Sequence, residues 1–236
     1  SEKAKKCKID VITFSIKKKA DIYLLGTMKI KNYFRLKVSI KNKIFYFNVK
    51  YLTNSFLNNI LACLTTLYVL NLNLKKVEKK FTNFKIPEGR GDIKIIRKFN
   101  KNFKFIDESY NANPLSMVSA INNINYHNDR NTNRKLIFLG DMLELGKKSK
   151  KFHKALAATI NKTNIDKVFV YGKYIRETFN YLSLSKRGKI FKKMEDAHEY
   201  FAKILHNKDL LMVKGSNATG LNKFSKNIKR GQISAI

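Results

Sequence analysis

The sequence predicts an α/β fold whose rear part is a mainly parallel sheet flanked by helices. Three observations carry this. Behind residue 92, short apolar runs alternate with helix-length amphipathic patterns, the signature of βαβ units. In front of it, two alternating runs read instead as an antiparallel hairpin. Between the two, Pro87, Gly89 and Gly91 lie close together, and such punctuation marks a hinge or linker. The expected division is therefore 1–86 and 87–236.

Taken in order, Ile9 to Phe14 reads as a strand. Tyr33–Ile40 and Lys43–Val49 alternate apolar and polar side chains around Lys41-Asn42, the period-two pattern of a hairpin. Phe56 to Leu70 is apolar but falls short of the ~18 residues a membrane span needs. It also carries Asn58 and Asn59, so Asn54 to Leu70 reads as a buried core helix. Cys63 within it reads as a small buried hydrophobe. A shorter, charged helix is expected from Leu74 to about Phe81. After a lead-in at Ile93–Ile96, the expected strands are Phe103–Ile106, Lys135–Gly140, Lys167–Tyr171, Lys189–Phe191 and Leu210–Lys214. The expected helices between and after them are Pro114–Ile124, Ser149–Ile160, Tyr174–Tyr181, Met194–Leu205 and Leu221–Ile228. Asn113 is a natural N-cap with Pro114 at the first helical position, and Ser149 could cap the next helix.

Composition narrows the function classes. The 236 residues suffice for one large domain or two small ones, and the 44% hydrophobic fraction can supply a core. There is no signal-peptide pattern and no membrane span, and Cys7 and Cys63 form no metal-ligand spacing, all of which suits a reducing cytoplasm. The net charge of +32 invites a nucleic-acid reading. Against it, the cations are mostly lysine, whereas bidentate recognition of phosphate and bases favours arginine. They are also spread along the chain rather than held in one stripe. No specific nucleic acid is expected, although nonspecific binding at low salt would follow from the charge.

Polar groups that could carry chemistry gather at strand ends. Asp107-Glu108-Ser109-Tyr110-Asn111-Ala112-Asn113-Pro114-Leu115-Ser116-Met117 follows a short apolar run and opens a helix. In an open α/β sheet that is the strand's carboxyl end, where ligands bind. A carboxylate there can accept ribose hydroxyls. Asn111 and Asn113 can donate to phosphate oxygens or accept from an amine, and Tyr110 could pack under either ligand. The blander reading, a helix capped by Asn113-Pro114, leaves the preceding run of polar groups unexplained. Asp141 and Glu144 end the next buried-looking strand; two acids suit an ammonium, or a cation held by oxygen ligands. Lys214, Gly215 and Ser216 close the last strand with a cation, a flexible glycine and a hydroxyl, which suits a carboxylate. Arg90 after Gly89 can reach a phosphate or stack on a base. Asn58, polar on an apolar helix, needs a partner. His153 reads as structural, and His127, His198 and His206 have no motif context.

The stretch from Asp107 to Met117 resembles, almost letter for letter, the DxSYNANPxSM signature of the Mur ligase family. Gly140-Asp141-Met142-Leu143-Glu144-Leu145-Gly146 and Val213-Lys214-Gly215-Ser216 resemble two further family segments, in matching order. The resemblance points to the members that join D-alanyl-D-alanine to UDP-N-acetylmuramoyl-tripeptide. It implies the rear of the family's central ATPase domain at 1–86, followed by its Rossmann-like C-terminal domain at 87–236. ATP and Mg2+ are the implied cofactors, and the dipeptide and the UDP-linked tripeptide the partners. Implied nucleotide contacts are Asn58, Arg90, Asp107 (with Glu108 as runner-up for the ribose) and Asn111. Implied dipeptide contacts are Tyr110, Asn113, Asp141, Glu144, Lys214, Gly215 and Ser216. Around Asn58 the family pattern G-x-H-N-x-x-N-A-L-A-A is matched at its last asparagine, while Asn54 and Ser55 replace its histidine and first asparagine. Asn217 stands where the family often has arginine.

No Gly-x-x-x-x-Gly-Lys-Ser/Thr occurs, although the family carries such a phosphate loop upstream of everything matched. With Ser1 in place of an initiator methionine, the expectation is a C-terminal portion of a monomeric cytoplasmic ligase, without catalytic or metal-binding residues of its own and inactive by itself. A non-catalytic or degenerate binding module and a basic nucleic-acid-binding protein are the alternatives.

Overall fold

A computed structural model describes residues 6–7, 9–50, 52–78, 80–84, 87–125, 132–230 and 232–235. His127 lies outside the described residues. The chain divides into two compact units, residues 1–85 and 86–236.

In the first unit, β1 (Phe14–Ser15), β2 (Ile22–Ile30), β3 (Tyr33–Ile40) and β4 (Lys43–Val49) form a sheet in that order. β1 runs parallel to β2, and the other neighbours are antiparallel. The hairpin expected around Lys41-Asn42 has the expected bounds, and both turn residues take positive φ. Helix α1 (Asn54–Val69) is capped by Thr53, whose side chain accepts from Phe56 N. Its Leu57, Ile60, Leu61 and Leu64 pack on Leu36, Val38, Ile40, Phe47 and Val49 of the sheet.

Three expectations for this unit need correction, and one strand was not expected. Ile9–Phe14 is not a strand, because only Phe14 and Ser15 pair with β2. Thr13 N donates instead to the Asp21 carboxylate at 2.8 Å. β2 went unread because Gly26 interrupts its pattern, at a register shift between Leu24 and Gly26. The charged helix after α1 resolves into two 3₁₀ turns, Leu74–Val77 and Lys80–Asn83. Cys63 is exposed, since α1 buries one stripe only and Cys63 lies off it.

The second unit holds β5 (Asp92–Lys98), β6 (Lys101–Glu108), α2 (Pro114–Asn125), β7 (Lys135–Gly140), α3 (Ser149–Asn161), β8 (Lys167–Tyr171), α4 (Ile175–Asn180), β9 (Arg187–Phe191), α5 (Met194–Ile204), β10 (Leu210–Lys214), α6 (Leu221–Lys229) and β11 (Gln232–Ala235). The sheet order is β11-β5-β6-β10-β7-β8-β9. β6, β10, β7, β8 and β9 run parallel, while β5 and β11 add an antiparallel edge. β11 was not foreseen.

Alternation sends one set of side chains to each face of this sheet. Ile106, Ile137, Leu139, Val168, Val170, Leu210 and Met212 meet α2, α3 and α4. Phe105, Leu136, Phe138, Phe169, Phe191, Leu211 and Val213 meet α5 and α6. Phe138 sits at the centre of an aromatic cluster, its ring 5.6 Å from Phe191, 5.3 Å from Phe201 and 5.0 Å from Phe224. Each such buried ring contributes roughly 1.5–3 kcal/mol. Because β10, last of the parallel strands in the chain, inserts between β6 and β7, a topological switch point lies at their carboxyl ends.

Candidate functional site

All three strand-end motifs of the second unit converge on that switch point. Asp107 and Glu108 are successive residues at the end of β6, so they point to opposite faces of the sheet. Each meets a lysine.

Asp107 faces α6. Its Oδ1 accepts from Ser109 N at 3.1 Å and Ser109 Oγ at 2.6 Å, and its Oδ2 lies 2.7 Å from Lys229 Nζ. A cleft of about 280 Å³ opens beside this pair, lined by Glu88, Gly89, Asp107, Ser109, Tyr110, Asn217, Asn222, Lys226 and Lys229. Arg90 stacks its guanidinium 4.4 Å above the Tyr110 ring. The segment read as a hinge is pinned here, because Gly91 N donates to Asp107 O at 2.7 Å and Tyr110 N to Gly89 O at 3.2 Å.

Glu108 faces the other way. Its Oε2 pairs with Lys214 Nζ at 3.1 Å, and the same ammonium donates to Asn111 O at 3.0 Å. Lys214 is only 1% exposed, so an ion pair in register across β6 and β10 fixes the start of the Asn111–Asn113 loop. Asn113 caps α2 as expected: Ser116 N donates to its Oδ1 at 2.8 Å, and Asn113 N donates to Ser116 Oγ at 3.0 Å. Asn111 Oδ1 accepts from Ala112 N at 2.8 Å.

Ser216 joins all three loops. Its N donates to Asp141 O at 3.0 Å, its Oγ accepts from Leu143 N at 3.0 Å, and the hydroxyl makes a long 3.4 Å contact with Ala112 O. Gly215 serves close packing rather than flexibility. A Cβ there would lie 2.7 Å from Leu221 Cδ1 and 3.1 Å from Gly140 Cα, so only glycine lets the ends of β10 and β7 approach.

Asp141, read as an ammonium partner, already has backbone partners. The carboxylate is buried and caps α4: Oδ2 accepts from Lys173 N at 2.9 Å, and Oδ1 from Tyr174 N at 2.9 Å and Ile175 N at 2.7 Å. Gly172 permits this, with φ +144° and no room for a Cβ within 2.5 Å of the carboxylate. Glu144 is exposed, with φ +63°. His153 is fully buried as a structural residue; Met142 N donates to its Nε2 at 2.9 Å, and Nδ1 lies 2.7 Å from Ser149 O. Burial pushes its pKa below the ordinary 6.5, against opposing pulls from Ser149 O, Asp141 and Glu177. Ser149 begins α3 without a side-chain cap bond. Asn58 belongs to the first unit, where its side chain donates to Asn54 O at 3.0 Å.

Sequence reasoning missed Lys229, the partner of Asp107. Only its place one residue beyond the buried Ile228 of an amphipathic helix could have hinted at it. Two lysines, an arginine on an aromatic face and a carboxylate suit part of a nucleotide. Among the described residues no three or more His, Cys, Asp or Glu are grouped to hold a metal ion.

A mainly parallel sheet with its polar loops at a switch point defines a Rossmann-like domain. The family model "Mur ligase, glutamate ligase domain" matches residues 93–217, more than half of the chain. The chain belongs to the Mur ligase family, whose members are ATP-dependent ligases. It is 31% identical over 215 residues to the UDP-N-acetylmuramoyl-tripeptide--D-alanyl-D-alanine ligase of Buchnera aphidicola subsp. Baizongia pistaciae, covering 90% of this chain and 44% of that one. The protein of the same name from Rickettsia prowazekii is 26% identical over 214 residues, covering 91% and 46%. The chain therefore spans less than half the length of these relatives. The fold is also that of a MurF from Acinetobacter baumannii (TM-score 0.76, 18% identity, 98% of this chain and 49% of that one). A MurF ligase from Thermotoga maritima in complex with ADP is similar as well (TM-score 0.71, 20% identity, 97% and 52%).

Proposed function

We propose that the chain forms the carboxyl-terminal part of a ligase that adds D-alanyl-D-alanine to UDP-N-acetylmuramoyl-tripeptide, in cytoplasmic peptidoglycan precursor synthesis. One observation carries this reading: Lys214 and Ser216 lock the three motif loops together at the switch point. The names of the relatives support the choice of substrates.

ATP supplies the phosphoryl group that converts the tripeptide's terminal carboxylate, a poor electrophile, into an acyl phosphate. The residues here bind and orient. Asp107, held by Ser109 and Lys229, presents its remaining lone pairs to ribose hydroxyls, beside the Arg90–Tyr110 wall. The dipeptide lies on the opposite face. An ammonium has three N–H groups, and Lys214 uses two on Glu108 and Asn111 O. The third, with the Ser216 hydroxyl, is left for a carboxylate. The Asn113 side-chain oxygen, with the lone pair that Ser116 N leaves, and the Glu144 carboxylate accept from the amine. Holding the amine against the acyl carbon supplies much of the rate by positioning.

The test is to titrate D-alanyl-D-alanine into the chain and follow backbone amide shifts. Saturable shifts at Asn111, Asn113, Leu143 and Ser216 are expected, and they should be lost in Lys214→Ala. No saturable response, or an equal response to the L,L-dipeptide, would sink the reading.

A further inference from the structure

His153 is buried, and neither the nucleotide contacts nor the dipeptide contacts use it. Its two nitrogens are nonetheless assigned by their partners. Ser149 O can only accept, so Nδ1 carries the hydrogen at 2.7 Å. Nε2 is then a bare lone pair, and it accepts the Met142 N–H at 2.9 Å. The ring is neutral. Its own carbonyl accepts from Thr178 Oγ1 at 2.6 Å, and its ring centroid lies 5.9 Å from that of Tyr174, so one residue ties α3 to α4 and to the loop after β7.

That loop reaches the candidate site through its next peptides. Asp141 O receives Ser216 N, and Leu143 N points at Ser216 Oγ. The Leu143 N–H occupies one lone pair of the Ser216 oxygen and leaves its O–H free to donate. The only acceptor it meets among the described residues, Ala112 O at 3.4 Å, is a weak one. The hydroxyl proton is thus available to a ligand's carboxylate.

We infer that His153 is a positioning residue of the dipeptide site: its neutral ring orients the Asp141–Leu143 peptides so that Leu143 N–H engages one lone pair of Ser216 Oγ and aims the hydroxyl's O–H toward the substrate carboxylate. This rests on the function proposed above. Protonation would place a second hydrogen between Nε2 and Met142 N, donor against donor. The acidic groups that face the ring are Asp141, 4.0 Å from Nε2 but occupied by three amides, and Glu177 on α4; Tyr174 is the other titratable neighbour. Dipeptide affinity therefore falls as the ring becomes charged, which burial displaces to lower pH than for a free imidazole.

The experiment compares the full 236-residue chain with His153→Leu and His153→Gln. It reads D-alanyl-D-alanine affinity, ADP affinity, Met142 amide exchange and the ring's ¹⁵N shifts. Removing the acceptor in the leucine variant is expected to weaken the dipeptide about tenfold and to speed Met142 exchange, with ADP binding unchanged. Glutamine, which restores an acceptor, should recover most of the affinity. Wild-type dipeptide affinity with unchanged exchange in both variants overturns the inference. If the leucine variant does not fold, the glutamine variant and the wild-type ring decide: an Nε2–H tautomer, or a charged ring at pH 7, overturns it. If the wild-type chain binds no dipeptide, the proposed function fails instead, and the ring shifts and Met142 exchange still test the hydrogen bond.

Discussion

The two units use apolar strands in different ways. In the second unit β7 and β10 are buried along their whole length, because helices cover both faces of a parallel sheet. In the first unit only one face of the sheet meets α1; Met28 at 64%, Ile44 at 52% and Tyr46 at 46% stay exposed on the strands. A sheet covered on both faces leaves polar chemistry no place except the strand ends. That is where every candidate group of the second unit stands. Apolar composition does not tell these cases apart: Lys43–Val49 is nearly as apolar as Leu210–Lys214, yet it is only partly buried.

The sharpest break of this comparison is Phe138→Ala. Deleting the centre of the aromatic cluster should cost the second unit about 3–5 kcal/mol. Denaturant unfolding followed by amide signals of each unit would read it. An unchanged midpoint for the second unit would mean that the cluster relaxes into the void.

A pH titration sharpens the contrast. Burial holds His153 and His198 below the ordinary 6.5, so the unfolded chain binds more protons in the window below that value. Stability of the second unit is full above pH 6.5 and declines as pH falls toward the folded values, by at most about 1.4 kcal/mol per pH unit for each ring. In the first unit, hydrogen bonds from Lys41 and then Thr13 hold the Asp21 carboxylate well below its ordinary 3.8. That contribution is full above pH 3.8 and is lost only as pH falls through the lowered value. Thermal melts between pH 7.5 and 4.5 should therefore destabilise the second unit first. Earlier loss of the first unit's signals would contradict these assignments.

The smallest effect belongs to the exposed face. Ile44→Ser should change the first unit's stability by no more than ~0.5 kcal/mol, read by the same denaturant titration. A loss comparable to that of Phe138→Ala would show that Ile44 is buried in solution.

Much of the fold was legible because local rules and global packing agree. The bounds of β3, β4, β7, β8 and β10 match the expected strands, and Asn113 caps where its side chain must. The misses have local causes. Gly26 hid β2 behind a register shift, and the Asp21 carboxylate took the Thr13 N–H at the start of the short β1. Of the candidate site, the motif loops and their place at strand ends could be read directly, and so could Lys214 and Ser216 as the residues closing β10. The sequence alone determined these, because alternation of period and polarity is a property of neighbours in the chain.

The partnerships were decided by tertiary structure alone. Adjacent carboxylates on β6 split to opposite faces, Asp107 to Lys229 and Glu108 to Lys214, more than a hundred residues further along the chain. Asp141, which reads as a ligand group, was taken by the amides of α4, and His153 became the brace behind it. Strand order sets such pairings, by bringing β10 between β6 and β7, and a hydrogen bond depends on distance in space rather than along the chain.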